Sequence, residues 1–148
     1  MKCPACSNQL SSTTIGELTV DVCRGNCGGI WFDAFELQKV DEGRESTGEW
    51  LVQLERNPSL RVDFARKRDC PKCTGVKLKR RYFSAKRRVE VDECPGCGGC
   101  WLDAGELEKI RCETDETARE KEASVSMRVQ LTASVLRYIY RMRTEKSV

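Results

Sequence analysis

The spacing of the cysteines constrains the fold of this chain more than any other feature. Eight of the ten cysteines stand in four close pairs, which are Cys3/Cys6, Cys23/Cys27, Cys70/Cys73 and Cys94/Cys97. The first two pairs are separated by 16 residues and the last two by 20. Two such pairs can present four thiolates in a tetrahedron about 2.3 Å from a zinc ion, which closes the site to water and substrate. We therefore predict two structural zinc ions per chain and no catalytic site.

The remaining composition favours metal ligation over disulfide bonding. Histidine is absent, which excludes mixed Cys/His zinc sites and imidazole as a general base. The N-terminal segment has no apolar leader, and no run of about 18 apolar residues occurs, so we expect neither export nor a membrane span. In the cytoplasmic location that follows, closely spaced thiols ligate metals more often than they form disulfides.

An internal repeat places the two sets of cysteines in similar surroundings. The sequence VDVC at residues 20–23 recurs as VDEC at 91–94, and GGIWFDAFELQK at 28–39 recurs as GGCWLDAGELEK at 98–109. Each copy has the order knuckle, hairpin, knuckle and short helix. We predict a small α+β protein with two metal-stabilised zinc ribbons at 1–40 and 70–112, a linker at 41–69 and an amphipathic C-terminal helix at 113–148.

Alternating apolar residues predict the hairpin of each copy. Leu18, Val20 and Val22 alternate with polar neighbours, and Val89 and Val91 do the same in the second copy. A glycine pair follows each second knuckle, where it supplies the permissive backbone that a turn around a metal requires.

The short helices have N-terminal capping signals. The pairs Asp33/Glu36 and Asp103/Glu106 have the spacing of an N-cap residue and its reciprocal partner. Trp31 and Trp101 stand between knuckle and helix in the two copies. We interpret these tryptophans as a small core beside each metal site, with base stacking as the alternative.

The copies differ at the cysteines. The segment from Cys23 to Cys27 carries one residue more than the usual knuckle, and Gly25 could absorb the resulting strain. In the second copy, Cys97 and Cys100 compete for the fourth ligand position, and the repeat aligns Cys97 with Cys27. Cys100 and Cys112 are then spare, and we expect both to behave as small hydrophobes, with a redox role as the alternative.

Three motifs, Cys-Pro-x-Cys, Val-Asp-x-Cys and Cys-Gly-Gly-x-Trp-x-Asp-x-x-Glu-Leu, resemble those of the transcription-factor zinc-finger family of small bacterial proteins. The resemblance covers about residues 3–40 and 70–110. It implies a zinc ribbon similar to that of transcription factor IIB, with metal at the paired cysteines, and it implies little about biological role. The chain departs from the family at the lengthened Cys23–Cys27 knuckle of its first copy and at Ser7, where the family often has glycine.

The linker and the C-terminal segment carry further helix signals. Residues 49–56 could form two turns with Trp50 and Leu54 on one side. In the tail, Thr114, Asp115 and Glu116 are typical of a helix start, and Arg141, Arg143 and Lys146 lie near its end. An apolar arc is formed by Met127, Val129, Leu131, Val135, Leu136, Tyr138, Tyr140 and Met142. This arc is wider than a solvated helix needs, and we weigh docking onto the zinc modules, self-association and a foreign partner or membrane surface as its role.

The charge is unevenly distributed. Eight thiolates and two zinc ions would change the formal charge of +3 to about −1. Residues 1–50 hold 4 basic and 8 acidic side chains, whereas 70–112 hold 10 and 6. Seven cations surround Tyr82 and Phe83 on the second hairpin, namely Lys77, Lys79, Arg80, Arg81, Lys86, Arg87 and Arg88. This combination of charge and aromatic rings is typical of nucleic-acid surfaces. A hairpin tip that is simply solvated, or that contacts the acidic first module of the same or another chain, is the alternative.

Two functional hypotheses follow from these features. In the first, the zinc ribbons present the basic hairpin to nucleic acid or to a transcription or translation machine. In the second, the protein is an interaction adaptor that acts through its acidic first module and its C-terminal helix. A zinc and thiol redox switch is a weaker third hypothesis. We expect no small-molecule substrate, because the closed sites and the absent histidine disfavour conventional catalysis.

Overall fold

Each sequence repeat folds into three antiparallel strands in the computed structural model, which describes residues 1–41 and 46–144. The first copy contains β1 (Ser11–Ile15), β2 (Leu18–Val22) and β3 (Ile30–Phe32), and the second contains β4 (Lys79–Tyr82), β5 (Glu90–Glu93) and β6 (Cys100–Leu102). The first hairpin turns through two residues between Ile15 and Leu18. Gly16 begins this turn with a φ of 60°, a conformation that side chains with a Cβ disfavour.

The two copies join edge to edge in one sheet. The strand order is β1-β2-β3-β6-β5-β4, so the last strand of each copy lies at the centre. In the antiparallel β3–β6 pair, Trp31 is opposite Trp101, and Ile30 is opposite Leu102. Because equivalent residues of the two copies face each other, an approximate two-fold axis passes between the tryptophans. The repeat predicted the two ribbons but not their shared sheet.

The central strands separate two apolar cores. Successive side chains of a strand point to opposite faces. Ile30 and Phe32 therefore pack with Leu18, Val20 and Val22 and with the corresponding residues of the second copy. Trp31 and Trp101 pack instead with the paired cysteines. One core is thus shared by both copies, and the other surrounds the candidate metal ligands.

The helices differ from their predicted bounds. The short helix of the first copy is a single 3₁₀ turn at Leu37–Lys39, whereas that of the second copy begins α2, which runs over Glu106–Thr144. Thr114 lies inside α2 and caps no separate helix. The physical reason is that no glycine or proline occurs between the two predicted helices, so nothing ends the first. In the linker, α1 covers Ser46–Val52, three residues earlier than the predicted start at Glu49.

The first turns of α2 are fixed to the sheet. Leu107 and Ile110 are buried in the core that both copies share. The guanidinium of Arg111 donates from Nη1 to the carbonyl of Val40 at 2.9 Å, at the end of the 3₁₀ turn. The hydroxyl of Ser84 donates to the buried carboxylate of Glu113. These polar contacts bind the start of α2, up to Glu113, to both copies.

The chain divides into two compact units, and the second begins at Asp115. Within the described part of this second unit, the predicted apolar arc is exposed, with Met127, Val135 and Tyr140 at 65%, 56% and 71%. The side chains of Leu131, Arg141, Met142, Arg143 and Lys146 lie outside the described residues. None of the described helices contains a stretch long and apolar enough to cross a bilayer.

Candidate metal centres

The eight paired cysteines form two clusters of four sulfur atoms. The first contains Cys3, Cys6, Cys23 and Cys27, the second contains Cys70, Cys73, Cys94 and Cys97, and within each the sulfurs lie within 4.8 Å of one another. The Sγ–Sγ distances include 3.5 Å for Cys3–Cys27, 3.4 Å for Cys6–Cys23 and 3.8 Å for Cys70–Cys97. A tetrahedral zinc site with 2.3 Å bonds requires about 3.8 Å between sulfurs. The spacing therefore fits zinc, and the protein has two zinc sites.

Backbone amides point at the sulfur atoms, as a thiolate requires. In the first knuckle, the amides of Ala5 and Cys6 donate to Cys3 Sγ, both at 3.4 Å. In the second ribbon, the amide of Cys73 donates to Cys70 Sγ at 3.2 Å. The amide of Gly96 donates to Cys94 Sγ at 3.4 Å. These donors stabilise negative charge on sulfur and orient each ligand atom.

The proton affinities of the thiols also suit a divalent cation. Hydrogen bonds from Cys27 and Cys3 lower the pKa of Cys23 to about 4, whereas the hydrogen bond with Cys23 raises the pKa of Cys27. In the second cluster, burial raises the pKa of Cys70 to about 12. Burial also opposes ionisation of Cys94, but the amides of Cys97 and Gly96 and the adjacent thiols lower the pKa of Cys94 to about 7. Cys23 and Cys94 therefore ionise more readily than an ordinary thiol, and a bound cation would offset the repulsion between neighbouring thiolates.

The lengthened Cys23–Cys27 knuckle of the first copy is part of a contact with the linker. Gly25 adopts a φ of 68°, as expected for the residue that absorbs the insertion. Its amide donates to the carbonyl of Glu55 at 2.9 Å. The amide of Asn57 donates to the carbonyl of Asn26 at 2.7 Å. The guanidinium of Arg24 lies 5.9 Å from the ring centroid of Trp50. The extra residue thus holds the linker against the first metal site.

The spare cysteines lie away from the two sulfur clusters. Cys97 contributes its sulfur to the second cluster. Cys100 is buried on the opposite face of β6 and belongs to the core that both copies share. That burial raises the pKa of Cys100 to about 12, so its thiol is protonated near neutral pH. Cys112 is exposed on α2 and does not behave as the predicted buried hydrophobe.

Both tryptophans are fully buried beside the cysteines, which confirms their interpretation as core. Trp31 donates from Nε1 to Asp33 at 3.1 Å, and Trp101 donates to Asp103 at 3.0 Å. The predicted reciprocal caps are also present, because Glu36 accepts from the Asp33 amide at 2.9 Å. Glu106 accepts from the Asp103 amide at 2.7 Å. The carboxylate of each aspartate therefore orients a tryptophan, while the backbone amide of the same aspartate donates to a glutamate at the start of the following helical turn.

Salt bridges connect these two aspartates to distant parts of the chain, Asp33 to the second ribbon and Asp103 to the linker. Lys72, in the knuckle of the second copy, lies 2.5 Å from Asp33 of the first copy. Arg68 lies 2.8 Å from Asp103 and 3.0 Å from Asp92, with its side chain 1% exposed. The Arg68 pairs are buried, so water screens them little. Sequence patterns gave no signal for either cross-connection, because the residues involved lie far apart in the chain.

The seven predicted basic residues lie on the second hairpin, but several are neutralised. Arg80 contacts Asp92 at 3.2 Å, Arg81 pairs with Glu93, and Lys77 lies 2.6 Å from Asp69. Arg87 lies 5.8 Å from the ring centroid of Tyr82, and Lys86 and Arg88 also make interactions within the chain. Of these seven, Lys79 and Arg87 have no side-chain ion pair or hydrogen bond in the part of the chain that the structure describes, and Arg87 contacts the Tyr82 ring.

Comparison with known proteins agrees with the two sulfur clusters. Residues 2–42 and 69–111 each match the family described as transcription factor zinc-finger. No curated protein and no solved structure matches the chain. The two matched segments contain all eight clustered cysteines and together span more than half of the 148 residues. The chain therefore belongs to the transcription factor zinc-finger family, in which it carries two tandem zinc ribbons.

Proposed function

We propose that this protein is a non-catalytic zinc scaffold that binds nucleic acid through the β4 edge of its second ribbon. The ligands of the first zinc ion are Cys3, Cys6, Cys23 and Cys27, and those of the second are Cys70, Cys73, Cys94 and Cys97. Four thiolates fill a tetrahedral site, which leaves the metal no open position for a substrate. The zinc ions act by holding the hairpins in a fixed geometry.

The observation that carries the proposal is the charge contrast between the two outer edges of one sheet. Strand β1 forms one edge and β4 the other, and the two edges belong to equivalent positions of the repeat. The hairpin of residues 11–22 contains no lysine or arginine, whereas all four side chains of β4, three of them cationic, are exposed. Arg80 and Arg81 pair with carboxylates of β5, whereas the scaffold gives Lys79 no such partner among the described residues, so we assign Lys79 to a binding partner. Exposed lysine and arginine side chains bind the phosphate groups of nucleic acids in this way.

An exposed aromatic ring on the same edge favours nucleic acid over other anions. Tyr82 is 45% exposed at the end of β4, and the guanidinium of Arg87 lies over its ring. Rings and guanidinium groups that are free on one face can stack with unpaired bases. The ion pairs of Arg80 and Arg81 reduce the number of cations available, so the affinity depends most on Lys79 and Arg87.

A pair of charge-reversal variants tests the proposal. Lys79→Glu/Arg87→Glu changes the β4 edge, and Lys2→Glu/Lys39→Glu makes the same charge change at exposed positions of the first ribbon. We expect wild-type binding to single-stranded nucleic acid to weaken steeply with salt, and the β4 variant to lose at least about tenfold in affinity. The control should change less than about threefold. Equal losses in both variants, or no wild-type binding at low salt, would overturn the proposal.

The exposed apolar side chains of α2 favour a second candidate function, that of a protein-interaction adaptor. Val129, Leu136 and Tyr138 are 63%, 62% and 64% exposed, which is unusual for apolar residues of a free helix. Truncation after Thr114 keeps the first compact unit and removes these residues. Under this hypothesis, light scattering should show a lower oligomeric state for the truncated protein while nucleic-acid binding is unchanged.

A further inference from the structure

A basic surface cavity of about 570 Å³ lies between the end of the linker and strand β4. Its lining includes the cations Arg66, Lys67, Arg68, Lys77, Lys79 and Arg80 and a single carboxylate, that of Asp92. Two segments distant in the sequence supply these charges, since residues 65–68 precede the second ribbon and 77–80 belong to its hairpin. The cavity is therefore a product of the fold that neither segment shows alone.

Part of this positive charge is not neutralised by the protein. Arg80 and Arg68 pair with Asp92, and Lys77 pairs with Asp69. The exposed Lys77–Asp69 pair is weak, because water screens both groups, so Asp69 neutralises little of the charge of Lys77. Within residues 1–41 and 46–144, no ion pair or hydrogen bond of the side chains of Arg66, Lys67 and Lys79 is found. These three exposed side chains concentrate an unmatched charge around the cavity.

The buried member of the lining, Arg68, has unused hydrogen-bond donors. Its Nη1 atom contacts the carboxylates of Asp92 and Asp103. Its Nε and Nη2 atoms are buried and have no hydrogen-bond partner among the described residues. Buried guanidinium donors without an acceptor are unfavourable. Arg68 is among the residues that line the cavity, so a small shift of its side chain toward the cavity would let a bound ligand supply the acceptor.

We propose that this cavity binds a phosphate group. A phosphate presents several acceptor oxygens and at least one negative charge, which match the fork of Arg68 and the unmatched charge of Arg66, Lys67 and Lys79. The assignment of that phosphate to the backbone of a nucleic-acid strand rests on the function proposed above, whereas the binding of phosphate itself does not. Arg66 and Lys67 are then the contacting residues that no sequence pattern indicated.

The test uses the full-length, zinc-loaded protein with two probes. The first is inorganic phosphate, followed by the ¹⁵N-¹H NMR signals of the arginine side chains, with sodium chloride of equal ionic strength as the reference. The second is a single-stranded oligonucleotide in a salt series. The variant Arg66→Ser/Lys67→Ser removes two charges from the cavity. Arg56→Ser/Arg61→Ser removes two charges from exposed positions of the same linker that do not line it.

In wild type and in the Arg56→Ser/Arg61→Ser control, we expect phosphate to shift the Arg68 Nε–Hε signal at concentrations where chloride does not. In Arg66→Ser/Lys67→Ser, the phosphate affinity should fall at least about tenfold, and the slope of log affinity against log salt for the oligonucleotide should fall by about one to two. The proposal that the cavity binds phosphate would be overturned if wild type showed no phosphate-specific shift, or if both variants lost the same phosphate affinity. Phosphate binding without oligonucleotide binding would support the phosphate site in the cavity and overturn the proposed nucleic-acid function. Oligonucleotide binding that is insensitive to Arg66→Ser/Lys67→Ser would overturn the role of the cavity and leave the β4 edge as the contact.

Discussion

The ring of Trp101 in the second ribbon packs directly on the backbone of Gly29 in the first. A Cβ at Gly29 would collide with this ring, and it would lie 2.8 Å from the carbonyl oxygen of Leu102. The relationship is reciprocal, because a Cβ at Gly99 would collide with the ring of Trp31. Gly28 and Gly98 adopt φ values of 73° and 71°, as the sequence predicted. The second glycine of each pair is instead required by the tryptophan of the other copy.

Gly29→Ala should therefore destabilise the protein strongly. The nearest atoms belong to a buried ring and to backbone, neither of which can move away cheaply, so we expect a loss of about 2 to 3 kcal/mol in the free energy of unfolding. Urea denaturation at saturating zinc measures it. Gly99→Ala should cause a similar loss, since it removes the symmetry-related contact.

A double-mutant cycle provides the control. Trp101→Leu shortens the side chain that Gly29 contacts, so Gly29→Ala should be less destabilising in that background than in wild type. Additive losses would show that the effect of the alanine does not arise from the tryptophan.

Local features of this fold could be predicted from sequence, whereas the pairing of the copies could not. The cysteine spacing, the hairpins and the Asp33/Glu36 cap depend on residues within a few positions of one another. The β3–β6 pair joins two three-residue strands that are far apart in the chain. No pattern within so short a strand specifies its partner, which is set by tertiary contacts such as that of Gly29 with Trp101. The linker cations Arg66 and Lys67 were not predicted as contact residues, because the cavity forms only when two distant segments come together in the fold.

The position before each helical turn offers a test of backbone strain. Phe35 has a φ of 68°, and the equivalent residue of the second copy, Gly105, has a φ of 83°. The Phe35 side chain is 78% exposed, so little packing offsets its unfavourable backbone conformation. Phe35→Gly should stabilise the protein by up to about 1 kcal/mol, measured by thermal unfolding with zinc in excess.

The reverse change at the equivalent position is the matched control. A Cβ at Gly105 would meet no neighbouring atom within 4 Å, so Gly105→Ala reports backbone strain alone. We expect it to destabilise the protein by about 1 kcal/mol. If Phe35→Gly instead lowers the melting temperature, Phe35 makes a stabilising contact that outweighs its strain.

Glu106 should make stability depend on pH. Burial is the main cause that raises the pKa of Glu106 to about 7, and the charges of Asp103 and Asp92 add to it. A carboxyl whose pKa is higher in the folded state than in the unfolded state destabilises the fold when ionised. This destabilisation is fully present above about pH 7 and disappears as the pH falls toward the unfolded value near 4.5.

Glu106→Gln removes the charge and keeps an acceptor for the Asp103 amide. The difference in unfolding free energy between this variant and wild type should shift in favour of the variant by about 1 to 2 kcal/mol from pH 5.5 to pH 8. Glu106→Ala should show the same pH trend but be less stable than Glu106→Gln at every pH, because it loses the hydrogen bond. A difference that is constant across this range would contradict the raised pKa.

The last prediction concerns the choice between Cys97 and Cys100 as the fourth ligand of the second site. Cys97 belongs to the sulfur cluster, whereas Cys100 lies on the opposite face of β6 among apolar side chains. Cys97→Ser should reduce the zinc content from two ions to about one and unfold much of the second ribbon, because the metal supplies folding free energy there. Cys100→Ser, the matched substitution, should retain two zinc ions and lose stability only through the buried hydroxyl. Mass spectrometry under native conditions counts the bound ions in both variants. Two zinc ions in Cys97→Ser together with one in Cys100→Ser would show that β6 turns its cysteine toward the metal, and would contradict the ligand set proposed above.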